Sequence, residues 1–154
     1  MRIVVGVLAV LLLTSCGVTS TTVRTPTPDT KTPAGYRIFV LSQVAVLNGA
    51  VEVVNDSCKA GAVAACAKAL GEQTPAYKVA AQAIKTTTPP SDCVGLFSGY
   101  VGLPDLADPF FSEVQTEVDQ GNANGITTVI ARRYPPFIKG KTTADSPLPN
   151  DGCR

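Results

Sequence analysis

The stretch YRIFVLSQVAVLNGAVEVV, residues 36–54, decides how the rest of the chain is read. Two conformations compete for it. Asn48-Gly49 between apolar runs is a strong short-range hairpin signal, and valine favours strands. A helical wheel argues the other way. Arg37, Ser42, Asn48, Gly49, Glu52, Asn55, Asp56 and Lys59 fall within an arc of roughly 140°, and Gln43 lies outside it. On a strand the same residues occupy odd and even positions and put polar groups on both faces. The pattern predicts one long amphipathic helix over residues 35–56. Its expected buried face is Ile38, Leu41, Val44, Ala45, Leu47, Val51 and Val54. Gly49 falls on the exposed side, where it costs about 1 kcal/mol of propensity. The stretch carries too many polar groups for a transmembrane helix.

Downstream the signals are again helical. Asp56 or Ser57 is placed to cap a helix over 58–70, which is dominated by alanine, and Gly71 suits its end. Thr74-Pro75 has the form of an N-cap followed by proline at the first helical position. It predicts a helix over 75–86 with Tyr77, Ala80, Ala81 and Ile84 inward, stopped by Pro89-Pro90. Ser91-Asp92 opens a weaker helix from Cys93 to Val101. Asp108-Pro109 repeats the cap-plus-proline signal for a helix over 109–120, with Phe110, Phe111, Val114 and Val118 inward and Glu113 and Glu117 outward. Gly121–Gly125 interrupts, and a short helix over 126–134 ends at Arg132-Arg133, where cations suit the C-terminus. Pro135-Pro136 closes it. Residues 135–154 read as an irregular tail.

Upstream the character changes. Residues 17–35 are rich in Thr, Ser and Pro, with little to bury, and read as an extended tether. Before them, Met1-Arg2 is a short positive segment and Ile3–Leu13 an eleven-residue apolar run. The run is too short to span a bilayer, which takes about 20 residues, and has the layout of a signal peptide. It ends in Leu13-Thr14-Ser15-Cys16. This motif resembles the lipobox of bacterial lipoproteins: a leucine, two small residues and an obligatory cysteine. The resemblance covers the first sixteen residues and no family is recognised beyond them. It implies removal of residues 1–15, lipid such as palmitate on Cys16, and anchoring to a membrane. Two or three acyl chains suffice for stable anchoring, where one does not. Residue 17 is Gly rather than Asp, which by the same resemblance fits export to an outer membrane where the host has two membranes, and the cell surface where it has one.

With Cys16 set apart, Cys58, Cys66, Cys93 and Cys153 remain. An even number in an exported chain implies two disulfides. If Cys58 and Cys66 share one helix, eight residues separate them by about 12 Å, beyond the roughly 4.4–6.8 Å that a disulfide spans. That excludes Cys58–Cys66 with Cys93–Cys153. Folding residues 58–86 as a helical hairpin brings Cys58 near Cys93. The expected pairs are Cys58–Cys93 and Cys66–Cys153, with Cys58–Cys153 and Cys66–Cys93 as the remaining option. The spacings of 8, 27 and 60 do not match the paired C-x₂₋₄-C of a zinc site. No C-x-x-C redox pair is present.

Composition narrows function mainly by exclusion. Thirteen basic and twelve acidic side chains give a net charge of +1, without the basic excess of a nucleic-acid binder. There is no histidine, which removes Ser-His-Asp and Cys-His catalytic units and the commonest transition-metal ligand. From Thr86 to Ala131 the chain has no Lys or Arg but carries Asp92, Asp105, Asp108, Glu113, Glu117 and Asp119. Arg132, Arg133, Lys139 and Lys141 follow. This reads as a solvated acidic face neutralised by a basic segment. No calcium loop is present, and Gly95–Gly99 is not a nucleophile elbow, because Ser98 sits fourth.

The whole sequence is therefore read as all-α. A signal peptide spans 1–15, the lipidated cysteine and linker 16–34, a bundle of four to five helices 35–134, and a tail tied back through Cys153 spans 135–154. The expected function is a non-enzymatic binding or structural module on a membrane, with an envelope protein or small ligand as partner and no cofactor or metal. One alternative is an accessory lipoprotein holding an apolar ligand between helices, lined by Phe97, Tyr100, Phe110 and Phe111. Another is a histidine-free hydrolase using Glu113 and Glu117 as paired carboxylates.

Overall fold

The computed structural model describes residues 28–146 and Cys153. Five α-helices account for most of them: α1 (Pro33–Cys58), α2 (Val63–Thr86), α3 (Val94–Tyr100), α4 (Leu103–Asp119) and α5 (Ala123–Asp145). A single 3₁₀ turn, Ser91–Cys93, leads into α3. No strand occurs among the described residues. The chain is an all-α bundle pinned by two disulfides, and the helical reading of residues 36–54 holds. Cys16, with residues 1–15, lies outside the described residues.

Two helical hairpins make the bundle. α1 packs along α2, and α4 along α5. The hairpins meet through α2 against α4 and α1 against α5, while α3 bridges α1 and α5. α1 starts where its local chemistry dictates. The Thr32 hydroxyl accepts from the Gly35 amide at 3.1 Å, and Pro33 occupies the first turn. α4 ends on Gly121, whose φ of +65° suits glycine. There the Asn122 amide donates back to the Glu117 carbonyl, as in a Schellman turn. The Asn122 side chain then caps α5 by accepting from the Gly125 amide at 3.0 Å.

Helix boundaries differ from the sequence reading wherever a proline was taken as a boundary. Residues 58–70 and 75–86 are not two helices. α2 runs through Pro75, and its N-cap is Ala62 rather than Asp56 or Ser57. The buried residues explain why. Cys66, Ala69, Leu70, Tyr77, Ala80, Ala81 and Ile84 stay in one phase across the proline. A break would cost that packing, which outweighs the roughly 3 kcal/mol that an interior proline costs. α5 likewise passes through Pro135-Pro136 and continues to Asp145, with Ile126, Val129, Ile130, Phe137 and Ala144 in phase. Residues 135–145 of the tail expected to be irregular are thus about three turns of helix, and the bundle extends eleven residues further than expected. Asp108-Pro109 is not a helix start either, since α4 opens at Leu103 with Pro104 in its first turn.

The face that α1 buries also differs. Val44, Leu47, Val51 and Val54 are buried as expected, joined by Tyr36, Val40, Asn48, Ala50, Asn55 and Cys58. Ile38, Leu41 and Ala45 are exposed. The reason is angular. Ile38 and Asp56 are eighteen residues, or five whole turns, apart and point the same way. A helix that gives Asp56 to solvent gives Ile38 to solvent too.

Candidate functional site

Among the features with chemical content that the described residues offer are two surface grooves and two disulfides. The aromatic groove lies between α2 and α4. Thr74, Tyr77 and Lys78 from α2 and Asp108, Pro109, Phe111, Ser112 and Gln115 from α4 line a groove of about 430 Å³. That lies within the usual range for a small-ligand site, about 300–1,000 Å³.

Its floor is aromatic. The Tyr77 and Phe111 rings stack with centroids 4.1 Å apart and planes within 10°. Phe110 meets Phe111 edge-on at 5.6 Å, and Tyr134 stands 6.5 Å from Phe110. Stacked and edge-on pairs are the favoured arrangements and stiffen the floor. The Tyr77 hydroxyl donates to Asp108 Oδ1. Lys85 Nζ holds Asp108 Oδ2 at 3.1 Å and Asp105 Oδ1 at 2.8 Å. Asp108, expected as a helix cap, instead sits one residue before Pro109 inside α4 and orients the phenol of α2. Lys78, Thr74, Ser112 and Gln115 add donors and acceptors around the rim. The arrangement can hold an amphipathic group, with a flat or aliphatic part against the Tyr77–Phe111 edge and polar atoms toward the rim.

A second, shallower groove of about 440 Å³ lies along α3 and α5, lined by Ser98, Gly99, Pro136, Lys139, Gly140, Thr143 and Ala144. Tyr100 anchors this end, its hydroxyl 3.0 Å from Asp145 Oδ1. Lys141 also binds Asp145 at 2.8 Å, and holds that carboxyl below its ordinary pKa together with Tyr100.

The four aromatic residues expected to line one apolar cavity do not do so. Phe110 is fully buried, Tyr100 and Phe111 are buried, and Phe97 is half-buried against the core. Only Phe111 lines the aromatic groove. Sequence reasoning missed Asp108, Lys78 and Gln115 as groove residues and placed Tyr77 only in the core. The signal for Tyr77 was present, since a phenol on an inward stripe needs a polar partner.

Glu113 and Glu117 line neither groove. Glu113 is clasped by Arg132, 2.6 Å from its Oε2, and by a two-pronged contact from Arg133. The Arg133 hydrogen bonds lead in holding the Glu113 carboxyl below its ordinary range. Glu117 accepts from Asn122 Nδ2 at 2.7 Å. The acidic segment is thus neutralised only partly by the basic residues that follow it. Arg132 and Arg133 serve Glu113, while Lys85 of α2 serves Asp105 and Asp108.

The cysteines pair against expectation. Cys58 joins Cys66 and Cys93 joins Cys153, each with Cα atoms 4.6 Å apart. The excluded pairing is the one formed, because Cys58 and Cys66 do not share a helix. Cys58 closes α1, Cys66 lies in the first turn of α2, and Lys59–Ala62 reverses the chain between them. Gly61, at φ +70°, makes that reversal possible. Residues on either side of a tight hairpin face one another, which replaces about 12 Å along one helix by a disulfide distance. Both sulfurs of Cys93–Cys153 lie at the opposite end of α1, 3.8 and 3.3 Å from the Pro33 carbonyl oxygen. Arg37 Nη1 donates to the Cys153 carbonyl at 3.3 Å.

The chain matches no known protein family, no curated protein and no solved structure.

Proposed function

We propose that this chain is a lipid-anchored envelope protein whose disulfide-pinned bundle acts non-enzymatically as a binding module. The observation that carries the reading is the cysteine arithmetic. Four cysteines pair among themselves, all with buried side chains. Cys16 is left as the odd one, directly after the apolar run and in the lipobox-like motif. Paired buried cysteines suit an oxidising compartment, and an unpaired one at that place suits lipidation. In a host with two membranes the module sits on the outer membrane or its periplasmic face, and in a host with one membrane on the cell surface.

The α2–α4 groove favours binding as the role, and within it a small amphipathic ligand or a partner's side chain. The filled core around Phe110 speaks against the wider apolar cavity between helices. The engagement of Glu113 by two arginines speaks against its use as a general acid or base, which needs a carboxyl free to exchange its proton near neutral pH. Labelled palmitate tests the anchor: incorporation into the wild type and none into Cys16→Ala supports it, and equal labelling of both sinks it. Crosslinking the anchored protein in its host, then comparing the captured species between wild type and Phe111→Ala, tests the groove. An unchanged capture profile removes the groove from the reading.

A further inference from the structure

The α2–α4 groove has an aromatic floor and, along α2, a rim whose donors have no partner in the chain. Thr74 and Lys78 both line it. They stand four residues apart on α2, a spacing that makes neighbours of two side chains on a helix. Lys78 is exposed and has no acidic residue three or four positions away on the helix. It forms no ion pair among the described residues.

Thr74 differs from the other threonines within the helices. Thr86, Thr116, Thr127, Thr128, Thr142 and Thr143 each donate the hydroxyl to a carbonyl three or four residues back. Such back-bonding is the usual resting place of a helical hydroxyl. Thr74 makes no such bond among the described residues. Its hydroxyl is left for whatever enters the groove.

The acidic group of the groove is already engaged. Asp108 accepts from the Tyr77 hydroxyl at Oδ1 and from Lys85 Nζ at Oδ2, 3.1 Å away. Gln115 turns its amide nitrogen away to Asp119 Oδ1 at 2.7 Å. An entering cation would meet a carboxylate whose charge Lys85 matches, beside the unmatched charge of Lys78. An entering anion would meet an ammonium and a hydroxyl without partners. Charge complementarity therefore selects an anionic head group. A carboxylate has two oxygens, one for each of these donors, and the bond to the ammonium is charge-assisted.

The floor selects the rest of the ligand. The Tyr77 and Phe111 rings stack with planes within 10°, and Pro109 continues the apolar lining on the α4 side. A flat apolar body fits against such a surface. No standard side chain joins a ring to a carboxylate, so a free small molecule supplies this combination where a partner's side chain does not.

We propose that the α2–α4 groove takes a small aromatic carboxylate, with its ring against Tyr77, Phe111 and Pro109 and its carboxylate on Lys78 Nζ and the Thr74 hydroxyl. This rests on the reading of the groove as the binding site of the module, and names the class of ligand that the site takes.

The full chain in phosphatidylcholine nanodiscs, with its disulfides intact, is titrated with three probes that share one ring: phenylacetate, the neutral phenylacetamide and the cationic phenethylamine. Binding is read from the nuclear magnetic resonance shifts of the Tyr77 and Phe111 ring signals. Phenylacetate is expected to bind roughly ten-fold tighter than either other probe. Lys78→Gln should abolish that preference and leave the affinity for phenylacetamide as it was, and Lys78→Arg should keep the preference. Thr74→Val should weaken phenylacetate by roughly three-fold. Lys68→Gln removes a charge of α2 outside the groove and should change nothing. Ser112→Trp, on the exposed rim, should weaken all three probes with circular dichroism unchanged. Equal affinity for the three probes, tightest binding of phenethylamine, or an unchanged preference in Lys78→Gln overturns the carboxylate assignment, while the groove stands as a binding site. An equal loss in Lys68→Gln and Lys78→Gln also overturns it, by assigning the preference to net charge. Binding that Ser112→Trp does not weaken lies outside the groove and overturns the proposal. So does the absence of binding by all three probes, and the groove reading is then decided separately by the species captured with Phe111→Ala.

Discussion

The two ends of α1 carry the same chemical device in opposite settings. At the C-terminal end, Cys58–Cys66 spans eight residues and locks a turn that the backbone already makes. At the N-terminal end, Cys93–Cys153 spans sixty residues and fastens the far end of the chain beside Pro33. The first bond restrains a local loop, whose ends are near one another even in a loose chain. The second removes far more freedom from the unfolded state, since loop-closure entropy grows with loop length. α1 is thus a spine clamped at one end by a near neighbour and at the other by the most distant part of the chain.

The largest expected effect is at the distant clamp. Replacing both Cys93 and Cys153 with serine should lower unfolding free energy by about 4 kcal/mol in the chain-entropy model. Urea unfolding under oxidising conditions would measure it. The matching double replacement of Cys58 and Cys66 should cost about 2.5 kcal/mol. Equal losses, or a larger loss at the local clamp, would break the comparison.

At the local end the turn itself is testable. Gly61→Ala forces a side chain into the left-handed region and brings its Cβ to 2.9 Å from the Ala123 carbonyl oxygen. The substitution should cost about 1–2 kcal/mol by thermal unfolding. It should cost more than this once the 58–66 disulfide is reduced, if bond and turn restrain the same conformation.

Away from both ends, the Glu113–Arg132–Arg133 contact joins α4 to α5. Its carboxyl titrates below the ordinary range in the folded state, chiefly through Arg133. The contribution is complete above the unfolded-state pKa, near 4.3 for glutamate. It is lost as pH falls through the lower folded value. Stability should therefore fall on acidification, and Glu113→Gln should flatten that fall while costing at most about 1 kcal/mol at pH 7. A pH–stability profile that is identical in wild type and variant would remove this contact from the account.

The smallest effect is expected near the distant clamp. Tyr36 is fully buried and its hydroxyl has no hydrogen-bond partner among the described residues. Tyr36→Phe removes an unsatisfied polar atom with little change of shape, so stability should stay level or rise by up to about 1 kcal/mol. A clear loss would show that the hydroxyl holds a bridging water at this end.

Much of the fold was legible. Residues 36–54 read as a helix because the polar positions keep helical phase, and the structure is helical there, although it buries Asn48 and Asn55 from the polar arc and exposes Ile38, Leu41 and Ala45. The stripe from Cys66 to Ile84 also ran unbroken through Pro75, so one helix was readable there, as it was across Pro135-Pro136. Weighing the prolines above the stripe hid it, because local propensity is a small term beside continuous burial. The groove was less legible. Asp108 has the look of a cap beside Pro109, and only its proximity to Tyr77 and Lys85 reveals what it does.

Composition and pattern alone determined the all-α class, the set of four cysteines that forms two disulfides, and most of the inward residues of α2 and α4. These follow from short-range periodicity and residue chemistry, which the chain carries without reference to its neighbours. Tertiary structure decided which cysteines pair, which side of α1 is buried, and that Tyr77, Phe111 and Asp108 share a groove. Each depends on where a turn reverses the chain and how one helix is rotated against the next. A change of a few residues in a turn moves a cysteine from about 12 Å to bonding distance, so no spacing along the sequence settles it.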